Sequence, residues 1–150
     1  MPARVPDLPR RLGLILPELP RAVGVFGIAL LFEVAAMLVR SHVGWQPLPL
    51  DRSPALLVID ALVASAIVEF LLRGAVQGLL PWFGLGALLS LAIPAALEFA
   101  GGYTESGVIW EVIFGAGFVF ARAASGSIYP SVALRFVQYL LIPAFVAVHR

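Results

Sequence analysis

Glu69 and Arg73 stand four residues apart in "VEFLLRGAVQGLL" (68–80), an acid and a base inside an apolar run. At i, i+4 they share one face of a helix and can pair. A carboxylate placed there can act on water, carry a proton, or neutralise the guanidinium and fix helix packing. The spacing leaves the catalytic and the structural readings open. Arg135 lies in "SVALRFVQYLL" (131–141) with apolar neighbours on both sides. It needs an acid from another helix or a route along which to snorkel. Glu69, Asp60 and Glu98 are its candidate partners. Asp60 and Glu69, nine positions apart, fall on opposite faces of an ideal helix and form no carboxylate dyad. Glu33 and Glu111 are further acids inside apolar runs, and Glu98 and Glu111 bracket the stretch 100–106.

Other chemistries find little support. His42 and His149 lack ligand spacing, and Ser90, Ser125 and Ser127 have no histidine nearby to serve as a base. With no cysteine in the chain, thiolate catalysis and cysteine-ligated metal are excluded. "GLGALLS" and "GAG" sit in apolar segments with no lysine after them, unlike phosphate loops. No metal or cofactor is expected.

The elements that must position these residues are apolar. Of 150 residues, 61% are hydrophobic and 13% charged, with mean hydropathy +0.98. Soluble domains carry about 25% charged residues. One soluble core cannot hide so much apolar side chain, so the bilayer is the expected solvent and first partner. Net charge is +1, without a basic stripe, which argues against nucleic acid. A span needs about 20 mostly apolar residues. Runs at 22–39, 55–72 (extending toward 80), 81–99, 107–121 and 128–148 predict an all-α, polytopic bundle of about five membrane helices, with a kink at Pro94. Residues 1–21 read as a short interfacial helix with Arg10, Arg11 and Arg21 beside "LGLIL", and 22–150 as a single transmembrane domain. The N-terminus does not read as a cleavable signal. The loop 40–54 carries Trp45 and several prolines, suited to an interface, and 100–106 reads as a turn. Arginine in the N-terminal flank and Arg122 place the N-terminus on the cytoplasmic side of a cell (inner) membrane. Small residues at 74 and 78, and at 115 and 117, allow helices to approach closely.

Two of these stretches carry a resemblance. "EFLLRG" (69–74) looks like the second half of the "EE-x-x-x-R-G" motif of the CPBP family, the intramembrane proteases related to the CAAX prenyl endopeptidase. "FGAGFVFARAASGSIYPSVAL" (114–134) resembles that family's late helix, with Arg122, Gly126, Ser127, Ile128, Tyr129 and Pro130 in order. The resemblance covers about residues 60–140. It implies a helical bundle with a glutamate-based site in the membrane, acting on a membrane protein or a C-terminal tail. Carried over by position, Glu69 matches the second glutamate and Arg73 the arginine. Val68 replaces the first glutamate. The expected histidine of the third span is absent, with Glu98 the polar group nearest to it. Arg135 holds the late histidine position, and Gln138 is the stand-in for the asparagine beyond. The resemblance therefore implies a degenerate site of Glu69, Arg73, Glu98 and Arg135. The alternative is a non-catalytic scaffold or accessory subunit, alone or in a homo- or hetero-oligomer. A second resemblance, over 94–121, is to VanZ-like membrane proteins. It rests on an acid before a short turn and "WEV" opening a glycine-rich helix.

Overall fold

The structure is a computed structural model describing residues 8–43, 53–80, 84–101 and 105–148, without the side chains of 98, 105–106 and 143–148. The tip of the 40–54 loop with Trp45, the Pro81 start of the third run, the middle of the 100–106 turn and His149 lie outside the described residues, all of whose regular structure is helical. Six helices follow in order: α1 (Leu8–Leu12), α2 (Leu19–His42), α3 (Pro54–Leu79), α4 (Leu85–Ala100), α5 (Glu105–Ser125) and α6 (Tyr129–Val148).

Local chemistry sets their ends. Proline occupies the first turn of α2 and of α3, where its missing N–H costs nothing. Ser53 caps α3 by accepting a hydrogen bond from the Leu56 amide. Gly84 starts α4 at φ 74°, a left-handed conformation cheap only without a Cβ. Between α5 and α6 the chain turns through Gly126 at φ 73°, and the Ser127 hydroxyl accepts from the Tyr129 amide to open α6.

Two irregularities matter for the interior. Phe70–Val76 within α3 is wound as a π-helix, whose wider turn redirects backbone carbonyls. Pro94 sits inside α4, which continues through it. Proline cannot donate to the carbonyl four residues earlier, so it frees the oxygen of Ser90.

The helix α5 is central, packing against α2, α4, α6 and the π-turn of α3, while α6 packs against both α2 and α3. Phe114, Phe118, Ala121, Leu134, Met37 and Ala29 form the apolar core. The outward faces carry Ile28, Leu31, Val39, Leu62, Ile67, Leu88 and Ile109, while Glu33, Ser65, Glu69, Arg73 and Ser90 are buried. Apolar outside and polar inside is the arrangement a lipid solvent favours.

Three helices, Leu19–His42, Pro54–Leu79 and Gly107–Ser125, are long and apolar enough to cross a membrane. They mark the chain as a membrane protein. The sequence gives five candidate runs. The third long helix, α4, begins at Leu85 and has an apolar stretch of only Leu85–Leu97. The last, α6, carries Arg135 and Gln138 within its first ten residues.

The described part of the N-terminal segment is tied to the bundle by backbone contacts. The Ile128 amide donates to the Gly13 carbonyl at 3.0 Å, and Arg122 Nη2 donates to the Arg11 carbonyl at 2.8 Å. Gly74 and Gly78 face the backbone of Arg11 and Leu12, where a Cβ would collide. Their close approach thus serves α1 rather than another long helix.

Candidate functional site

Two helices, α3 and α6, bring three charged residues together. Glu69, in the last α-turn before the π-segment, accepts a hydrogen bond on Oε1 from Arg135 Nε at 2.5 Å. Its Oε2 lies 3.6 Å from Arg73 Nε. Glu69 and Arg73 are 0% exposed and Arg135 is 8% exposed, so all three side chains are removed from solvent and from lipid. At membrane depth an unpaired charge costs about 2.5–3.5 kcal/mol on insertion scales, which explains why the two guanidinium groups gather on one carboxylate.

The backbone completes the cage. Arg73 Nη1 donates to the Ser90 carbonyl at 2.7 Å, the oxygen that Pro94 leaves free on α4. Its Nη2 donates to the Gly115 carbonyl of α5 at 3.4 Å. A Cβ at residue 115 would crowd Leu91 and lie in ordinary contact with the Arg73 guanidinium. Phe118 lies under both bases, its ring centroid 4.3 Å from the Arg135 guanidinium carbon and 5.8 Å from that of Arg73. Such cation–π contacts strengthen when desolvated.

A second acid adjoins this centre. Glu33 of α2, 1% exposed, accepts from Gln138 Nε2 at 3.3 Å, three residues beyond Arg135 on α6. Its other oxygen lies against Gly117, where any Cβ would clash. Among the described residues, Glu33 Oε1, Glu69 Oε2, Arg73 Nε and Arg135 Nη2 are buried without a hydrogen-bond partner.

Of the residues expected from sequence, Glu69, Arg73 and Arg135 converge as one cluster. The backbone of Glu98 lies on α4 about 12 Å along the axis from Ser90 at 1.5 Å per residue, and its side chain is outside the described residues. Asp60 is exposed on α3, away from the face that carries Glu69. Glu33 was visible as an acid in an apolar run but carried no motif that would attach it to the site. The Ser90 carbonyl was legible in principle, since Pro94 stands four residues after it.

The arrangement can hold α2, α3 and α6 in register. No described histidine is close: His42 is exposed at the end of α2, its Nδ1 against the Leu38 carbonyl. No group of three potential metal ligands occurs among the described residues. Compared with protein-family models, curated proteins and solved structures, the chain matches none.

Proposed function

We propose that this chain is a non-catalytic membrane scaffold or accessory subunit of CPBP-like architecture, whose glutamate–arginine centre fixes helix packing rather than activating water. The observation that carries this reading is the double engagement of Glu69. One carboxylate is held between two guanidinium groups from α3 and α6, with no described histidine beside it to pass protons. A carboxylate shared as counter-ion by two buried guanidinium groups ties together the helices that carry them. The protein would reside in a bacterial inner membrane with its N-terminus cytoplasmic, and would act through other membrane proteins or a second copy.

A glutamate-type intramembrane peptidase is the second reading. It is favoured by the buried oxygens of Glu33 and Glu69 that make no hydrogen bond, which suit a bound water. One experiment separates the two. Wild-type protein and Glu69→Gln are expressed with a membrane-protein substrate, then purified and assayed for peptide hydrolysis. The scaffold reading expects no hydrolysis by wild type and a lower folded level for the variant. Hydrolysis by wild type that Glu69→Gln abolishes at an unchanged folded level would overturn it.

A further inference from the structure

At the end of the bundle where α2 and α6 begin and α5 ends, basic and apolar surface adjoin. A groove open along one side runs between α2 and α6, lined by Ala22, Val23, Phe26, Tyr129 and Ala133 with Pro17 at its rim. Every lining group but the tyrosine hydroxyl is apolar. Arg21 immediately precedes the groove wall on α2. Its Nε donates to the Ala124 carbonyl at 2.8 Å, in the last turn of α5. That bond pins the guanidinium and keeps its two terminal NH2 groups for an anion. Arg10 and Arg11 are exposed on α1, which the Gly13–Ile128 hydrogen bond ties to the start of α6 beside Tyr129 and Pro130. Between residues 8 and 24, three arginines face one acid, Glu18.

We propose that this corner binds one anionic phospholipid, its phosphate on Arg21 with Arg10 and Arg11 nearby, and an acyl chain in the α2–α6 groove. Charge complementarity selects the occupant: a zwitterionic lipid could fill the groove but would gain less from three guanidinium groups. Each arginine near an anionic headgroup contributes about fivefold in affinity, the equivalent of about 1 kcal/mol. The site lies apart from Glu69 and stands whether or not the centre is catalytic.

The test is lipid retention by the full chain in detergent micelles, counted by native mass spectrometry. Dioleoyl phosphatidylglycerol and dioleoyl phosphatidylcholine are titrated separately, and glycerol 3-phosphate serves as a headgroup without chains. The expected result is at least fivefold preference for phosphatidylglycerol and no competition by glycerol 3-phosphate. Arg21→Gln should lower that preference about fivefold and Arg21→Lys should keep most of it. Ala133→Trp, which fills the groove from an exposed position, should reduce retention of both lipids. Equal retention of the two lipids, or a preference that survives both Arg21→Gln and the double change Arg10→Gln, Arg11→Gln, would overturn the proposal. Competition by glycerol 3-phosphate as effective as that of the intact lipid would overturn it too.

Discussion

Two arginines in this bundle are buried in different ways. Arg135 meets a carboxylate, Glu69, and the face of Phe118. Arg122, 9% exposed, finds its acceptors among the described residues in the backbone: its Nε donates to the Arg73 carbonyl at 3.2 Å and its Nη2 to that of Arg11. At the centre a full opposite charge, the Glu69 carboxylate, meets the buried guanidinium groups. At the end of α5, carbonyl dipoles of the π-turn of α3 and of the last turn of α1 take that part. Arg73 joins the two regions, since its side chain belongs to the centre and its carbonyl to the clamp. The contrast predicts that the centre carries global stability and the clamp carries local order of the N-terminal segment.

The largest effect should come from Glu69→Ala. It leaves two buried guanidinium groups without a carboxylate, and breaking a buried pair from one side costs about 3–5 kcal/mol. Unfolding in bicelles with increasing denaturant would read this as a loss of most folded protein. Adding Arg135→Met to that variant should restore part of the stability, because it removes one of the orphaned charges. Next comes Arg122→Met, which removes two charge-assisted hydrogen bonds worth about 1.5–3 kcal/mol each before compensation by headgroups. Limited proteolysis should then cut near residues 14–17 while the rest of the bundle stays resistant. Global unfolding by this variant, equal to that of Glu69→Ala, would break the comparison.

A smaller effect is expected from Gly117→Ala. Its methyl group would strike the Glu33 carboxylate and push α2 from α5, with overpacking costing about 1–3 kcal/mol. The smallest should be Pro94→Ala, which returns an N–H to compete for the Ser90 carbonyl. A gained helix bond and a weakened Arg73 contact nearly cancel, so the unfolding midpoint should move by less than about 1 kcal/mol. A large loss there would mean that Arg73 depends on that one oxygen more than on Glu69.

Much of the centre was legible because charges in apolar runs are rare enough to demand partners. The i, i+4 spacing of Glu69 and Arg73, and the apolar flanks of Arg135, named three of its members. Glu33 escaped because nothing local ties it to the others: it arrives from α2 through Gly117, a contact 84 positions away in sequence. The helical class and the five long helices after a short first one were legible in the apolar runs, while only three of the described helices are long and apolar enough to cross a membrane. Apolar runs do not reveal that one helix ends at Leu79 and that the next begins at Leu85. Nor do they show that Gly74 and Gly78, small residues spaced for helix contact, would receive the N-terminal segment. The π-turn has no signature in "FLLRGAV" beyond the glycine, and the Arg73 carbonyl within it accepts from Arg122.

The most direct test of the central claim is a double-mutant cycle between Glu69→Gln and Arg135→Met, read by unfolding of the purified protein in bicelles. A shared buried centre predicts a coupling of about 2–3 kcal/mol, at the upper end of what contacting residues show. Additive losses, with coupling near zero, would contradict it and leave the two side chains as neighbours without a common role.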